Sequence, residues 1–240
     1  MNERSNIESD SSQQKGCNVD HSHPVLSVNA LRHVYADRAV LDGFSLTLNR
    51  GEHTLLLGPS GSGKTTLINL ICGLLTPDDG DITICGEAIS KAKGAQRDNI
   101  RRRHIGLVPQ QVRLVSALTV RENVRLAQKL GGGGDQQRAE DLIEQVGLSE
   151  RAHAKPRQLS QGEAQRGAIA RALVAKPALL IADEPTAALD DANAERVAKL
   201  FLDAAKAQGT TLLIATHDAR LRPHVTKTIN LTPSEASHAC

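Results

Sequence analysis

Aromatic side chains are almost missing: the 240 residues hold two Phe, one Tyr and no Trp. Stacking platforms for single strands or RNA are therefore excluded as the working surface. The core has to be packed from Ala, Leu, Ile and Val. Cysteine is sparse as well. Cys17, Cys72, Cys85 and Cys240 form no C-x-x-C pair, which argues against a disulfide scaffold or zinc ribbon and predicts a reducing cytosol. Neither sign of charge dominates: 29 Lys and Arg face 27 Asp and Glu, a net charge of +2. No bulk field draws this chain onto nucleic acid. Long apolar runs are lacking too. Stretches such as Ala178–Ala182 fall far short of the ~20 residues that cross a bilayer. The opening MNERSNIESDSSQQKG has no apolar segment and predicts no signal peptide. Any action on a membrane is expected to pass through a partner.

What is present is enough chain for one large domain with a real core. Residues 1–24 are polar and rich in Ser, Asn, Gln and Asp, which predicts a disordered tail. Cys17, His21 and His23 fall in that tail, where chance placement explains them more simply than a metal cluster. Ordered chain is expected from 25 to 231, with a second tail over 232–240. Strands are predicted at Leu26–Val34, Phe44–Leu48, His53–Leu57, Asp81–Ile84 and Ile105–Val108, then at Leu179–Ala182, Leu212–Ala215 and Thr226–Leu231. The successive apolar residues Leu55, Leu56 and Leu57 suit a strand covered on both faces. Helices are predicted at Lys64–Leu74, at Leu118–Leu148 with a break at Gly131–Gly134, at Ser160–Ala175 and at Asp191–Gln208. Strands alternating with helices give an α/β domain with a largely parallel sheet. The helical stretch of about 111–160 interrupts that alternation and reads as an inserted lobe.

The residues Gly58, Pro59, Ser60, Gly61, Ser62, Gly63, Lys64 and Thr65 fit G-x-x-x-x-G-K-[ST], and Thr66 follows. The run leaves a buried strand and opens a helix, the setting this phosphate loop requires. Its glycines let backbone N–H groups turn inward around phosphates, and the helix start adds its positive dipole end. Lys64 is expected to reach the β and γ oxygens, and Thr65 to place its hydroxyl on Mg²⁺. The motif indicates a nucleoside triphosphate and leaves open what its energy drives.

A second motif closes the strand at Ala178–Ala182 with two carboxylates, Asp183 and Glu184. Behind a phosphate loop, Asp183 is expected in the Mg²⁺ shell and Glu184 as general base for the attacking water. A third, Leu159-Ser160-Gln161-Gly162-Glu163, precedes an Ala-rich helix. Ser160 and Glu163 make a capping box. The same helix start, with its free N–H groups, the Ser160 hydroxyl and the open backbone at Gly162, also suits a γ-phosphate.

Together GPSGSGKTT, LSQGEAQRGAIARAL, LLIADEPTAALD and IATH resemble the ATP-binding cassette of ABC transporters, in the family's motif order over about residues 25–231. The resemblance implies a P-loop NTPase core, an N-terminal antiparallel β subdomain and an inserted helical signature subdomain. It implies ATP and Mg²⁺ as ligands, a homodimer of cassettes closed head to tail around two ATP, and a separate permease as membrane partner. Ser160, Gly162 and Glu163 then contact the ATP held by the opposite copy. The family's usual signature is LSGGQ; Gln161 replaces the first glycine and Glu163 the glutamine. Gln110 matches the glutamine that touches Mg²⁺ and water, with Pro109 where the family often has Phe and Gln111 directly after as the alternative. Ala188-Leu189-Asp190 matches the loop that crosses the dimer interface, which brings Asp190 to the nucleotide. His217 matches the switch histidine at the γ-phosphate, and Tyr35 the aromatic that stacks on adenine.

Arg97, Arg101, Arg102, Arg103 and His104 form a basic run. A solvated helix face is the expectation; a nucleic-acid or headgroup patch is the alternative. Within the family, TPDDGDITICGE, RRRHIGLVPQ, LTVRENV and DEPTAALD are most similar to the lipoprotein-release and macrolide-export cassettes, which transmit force to permeases with large extracytoplasmic domains. Placement on the inner face of the cell membrane follows. Two other readings stay open: a soluble ABC ATPase of DNA repair or translation, and a regulator that signals through a membrane partner without transport. Against the first stand the lack of a heptad run between Lys64 and Ser160 and the single cassette.

Overall fold

The computed structural model describes residues 23–35, 38–186 and 191–232. Strands β1 (Leu26–Tyr35) and β2 (Arg38–Leu48) pair antiparallel, from Leu26 opposite Leu48 to Tyr35 opposite Arg38. The register of β1 shifts between Val28 and Leu31, where Ala30 takes a positive φ of 45°. The extra residue returns Leu31 to the buried face that Leu26 and Val28 occupy. Next come β3 (Thr54–Leu57), α1 (Lys64–Ile71), β4 (Asp79–Ile84), β5 (Glu87–Ala88), α2 (Gly94–His104) and β6 (Ile105–Val108). Then follow α3 (Val120–Leu130), α4 (Gln136–Gln145), α5 (Gln161–Leu173), β7 (Leu179–Asp183), α6 (Asp191–Ala207), β8 (Thr211–Thr216) and β9 (Lys227–Asn230).

These strands form two sheets. One is antiparallel, in the order β2-β1-β4-β5, and the other parallel, in the order β6-β7-β8-β3-β9. The parallel sheet is buried on both faces, and side-chain parity divides the core. Leu55, Leu57, Leu180, Ala182, Leu212 and Ile214 face one cluster, with Phe201 of α6. Leu56, Leu179, Ile181, Leu213 and Ala215 face the other, with α1 and the antiparallel sheet. Continuous apolar strands are what such a sheet demands. Helix α5 lies so close on β6 that a Cβ at Gly106 would stand 2.4 Å from the Ala172 carbonyl oxygen.

Several boundaries differ from the sequence expectation for local reasons. Helix α1 stops at Ile71, because Gly73 turns left-handed at φ 63° beneath Arg97. Helix α3 starts at Val120, where Thr119 and Glu122 form a capping box, and the glycine run separates it from α4. Strand β2 begins six residues before the expected Phe44, since β1 supplies partners as far as Arg38. The basic run lies on α2 as a solvated face, with Arg102 and Arg103 exposed and its charges paired nearby. Arg103 and His104 hold Glu87 at 2.7 and 2.8 Å, Arg101 reaches Asp98, and Arg97 donates to the Ala92 carbonyl at 2.7 Å. No helix among the described residues is long and apolar enough to cross a membrane. Most of the two expected tails, with Cys17 and His21, lies outside the described residues.

Candidate functional site: a phosphate-loop cleft

Strand β8 lies between β3 and β7, all three parallel. Their C-terminal ends therefore open on one edge, where ligands of such sheets bind. The phosphate loop leaves β3, the acid pair closes β7, and His217 follows β8. Within the loop, Gly61 and Gly63 have φ of 77° and 96°. A Cβ at Gly63 would meet Val40 at 2.8 Å, and one at Gly58 would meet the Ser62 hydroxyl at 2.5 Å and the Leu231 carbonyl at 2.6 Å. The loop closes only with glycine at these places. Lys64 is buried and donates to the carbonyls of Gly58 and Pro59 at 2.8 and 3.0 Å; its Nζ lies 3.2 Å from Glu184 Oε1.

Thr65 donates its hydroxyl to Asp183 Oδ2 at 3.0 Å. Asp183 Oδ1 is buried with no hydrogen-bond partner. Burial pushes the Asp183 carboxyl above its ordinary range despite the Thr65 hydrogen bond, and the neighbouring charge of Glu184 adds to the shift. Glu184 adopts a positive φ of 46°, and its N–H donates to the Ala215 carbonyl at 2.7 Å. Its Oε2 accepts from the Thr216 hydroxyl at 2.9 Å and the His217 N–H at 3.3 Å, and His217 Nδ1 lies 2.9 Å away. Burial pushes this carboxyl up. The Thr216 hydrogen bond, the Lys64 ammonium and His217 outweigh it and hold Glu184 below the usual carboxylate range.

Lys64, Thr65, Glu184 and His217 border a cleft of about 700 Å³. Pro59, Ser60, Gly61, Gly63, Lys64, Thr65 and Thr66 make one wall; Gln110, Glu184 and His217 make another; Tyr35, Arg38 and Val40 stand at the third side. Tyr35 is 70% exposed there, an aromatic with an open face. A second cleft of about 380 Å³ lies against Thr65, Asp183, Gln110 and Gln111, so Gln110 borders both clefts and Gln111 only the second. The Ser62 side chain is buried and turned onto Gly58. Arg38, Val40 and Thr216 were not singled out from sequence. The early start of β2 hides the first two, and Thr216 reads as one more strand residue.

Ser160, Gly162 and Glu163 do not border the phosphate-loop cleft. They form the first turn of α5. Glu163 N–H donates to the Ser160 hydroxyl at 3.3 Å, Ser160 N–H donates to Glu163 Oε2 at 2.8 Å, and Arg151 holds Glu163 Oε1 at 2.9 Å. Nothing stands within 4 Å of a Cβ at Gly162, so its backbone is open to an approaching group. Asp190, with Ala188 and Leu189, lies outside the described residues.

A nucleotide-sized cleft on a P-loop edge, with a capped signature helix on a separate surface, defines an ATP-binding cassette. The ABC transporter family model matches residues 41–187, and the chain belongs to that family. It is 40% identical to the lipoprotein-releasing system ATP-binding protein LolD of Bacteroides fragilis, over 80% of this chain and 90% of that one. It is 42% identical to the methionine import ATP-binding protein MetN of Rhizobium johnstonii, over 82% of this chain and 55% of that one. Among solved structures, the dimeric post-hydrolysis state of the ATP-binding cassette MJ0796 bound to ADP and Pi superposes with a TM-score of 0.77 at 31% identity, over 87% and 96% of the two chains. The protein binds ATP and is an ATPase, an ATP-binding subunit of the transporter type.

Proposed function

We propose that two copies of this chain close head to tail around two ATP, and that closure and release drive a separate membrane permease. The observation that carries this is a division of parts. Lys64, Thr65, Glu184 and His217 border one cleft, and Asp183 holds the Thr65 hydroxyl beside it, while the start of α5, with Ser160, Glu163 and the open backbone at Gly162, lies elsewhere. A second copy brings that helix start, with the Gly162 backbone, to the γ-phosphate. In this reading the domain spans 25–231, with an inserted helical unit of about 111–160. The cassette sits on the cytoplasmic face of the membrane, held there by its permease.

The chemistry follows from the groups in place. Backbone N–H groups of Ser60–Thr66 and the Lys64 ammonium hold the phosphates, and Tyr35 stacks on adenine. Mg²⁺ fits the hard oxygens of Thr65 and Asp183 and the Gln110 amide; the unpartnered, buried Asp183 Oδ1 supplies a lone pair for it. Bound there, the cation neutralises charge on the β and γ oxygens. Glu184 stays ionised at neutral pH and takes the proton of the attacking water. His217 is half exposed and free to turn from Glu184 to the γ-phosphate. Asp190 joins the site across the dimer interface.

Likeness to LolD supports a force-transmitting exporter, and likeness to MetN favours import. ATPase stimulation by the co-encoded permease, followed by substrate movement in vesicles, separates the two and also exposes a pure regulator. The site itself is tested by two variants. Lys64→Ala is expected to lose ATP binding, and Glu184→Gln to bind ATP normally with turnover near background. Unchanged affinity in the first, or parental turnover in the second, overturns the assignment of that residue.

A further inference from the structure

We propose that Thr216 is a positioning residue for ATP hydrolysis, whose buried hydroxyl, 2.9 Å from Glu184 Oε2, keeps that carboxylate aimed while its other partners leave. The proposal rests on the reading of Glu184 as the base. Glu184 has three side-chain partners among the described residues: Lys64 on Oε1, and Thr216 and His217 on Oε2. In the proposed cycle Lys64 turns to the phosphates and His217 to the γ-phosphate. Only Thr216 has no other task.

Its geometry suits a fixed anchor. Thr216 is fully buried, whereas the His217 side chain is 57% exposed. The Asp218 N–H, which can only donate, takes a lone pair of the Thr216 hydroxyl at 3.0 Å. The single hydroxyl proton is then directed at Glu184. On the main chain, the Thr216 carbonyl accepts from Gly58 N–H, the first residue of the phosphate loop, at 3.3 Å. One residue thus ties the loop that holds phosphate to the carboxylate that activates water. Glu184 needs such a tie, because its left-handed backbone is not a preferred conformation for a side-chain-bearing residue.

The test uses the purified full chain and its variants Thr216→Val, Thr216→Ala and Thr216→Ser, with Glu184→Gln in parallel. Thermal unfolding is recorded for each. Thr216→Val is isosteric, and Thr216→Ala serves if the valine does not fold. Either is expected to lower kcat about 10- to 100-fold, as removal of an orienting partner does, with KM for ATP within about twofold of the parent. Thr216→Ser, which keeps the hydroxyl, is expected to restore most of the rate. Parental kcat in the valine or alanine variant overturns the proposal. So does a serine variant as slow as the valine, or a loss that resides in KM. If Glu184→Gln is inactive while Thr216→Val is normal, the positioning role alone fails. If Glu184→Gln turns over at the parental rate, the base assignment fails and the proposal with it.

Discussion

Lys64 and Glu184 show how much a single residue's role depends on partners far away in sequence. Their ion pair lies in a cleft where both side chains are nearly buried, so each is held by few, specific contacts. Lys64 opens α1, and the far end of that helix carries Cys72. The Cys72 thiol is pushed up to about 12 by burial, with Arg101 opposing and Asp183 adding to the shift. The thiolate is the reactive form. At pH 8 it makes up only about one part in ten thousand of a thiol at about 12. Cys72 is therefore expected to resist iodoacetamide in the folded protein and to react once guanidinium unfolds it, with ATPase activity unaffected in the meantime. Peptide mass spectrometry after timed alkylation checks this, and rapid native labelling of Cys72 would count against the packing around α1. At this scale the sequence was readable where chemistry fixes spacing. The lysine comes directly after a glycine that must turn left-handed, and the acid pair ends an apolar strand. Thr216, Arg38 and Val40 carry no such spacing. Strand pairing, which one chain's local pattern does not encode, brings Arg38 and Val40 to the cleft and Thr216 to Glu184.

Elements are held by their ends as much as by their faces. Helix α5 is weakly amphipathic, since both sides of it are covered, so its start is defined by the Ser160–Glu163 capping box rather than by a periodic stripe. That is why its first residue was legible and its last was not: the helix ends at Leu173, two residues before the expected Ala175, as Lys176 turns to positive φ. The same capping logic holds at the start of α3, where Thr119 and Glu122 pair, a box passed over in placing that helix from Leu118. It failed for β5 and for the first half of β2, whose residues are strands only because β4 and β1 lie alongside. Ser160→Ala is expected to cost about 1 kcal/mol, the usual worth of an N-cap. In a chain of this size that lowers the unfolding midpoint by roughly 2–4 °C. Calorimetry of the ATP-free chain measures the cap alone. A shift below half a degree would mean that packing of α5 on β6 fixes the helix start without help from the serine.

The whole molecule raises a different question, because its signature surface and its phosphate loop do not share a cleft. The same Ser160 that caps α5 stands where a second copy's nucleotide is proposed to dock, with room over Gly162. Stability and assembly therefore need separate variants. Alanine removes the cap alone, whereas Ser160→Arg removes it and adds bulk at the surface. Glu184→Gln with saturating ATP and Mg²⁺ is expected to sediment as a dimer, because hydrolysis no longer opens the clamp; the same variant with ADP is expected to stay monomeric. Adding Ser160→Arg is expected to return the ATP sample to monomer while ADP affinity, measured by fluorescent-analogue displacement, stays at the parental value. Loss of ADP affinity in the double variant would mean that Ser160 acts within its own chain, through the fold and not across an interface. A Glu184→Gln chain that remains monomeric with ATP, alone and with its permease, would remove the shared site altogether. The cleft would then be a complete site of one polypeptide, and force on the membrane partner would have to come from movement within a single cassette.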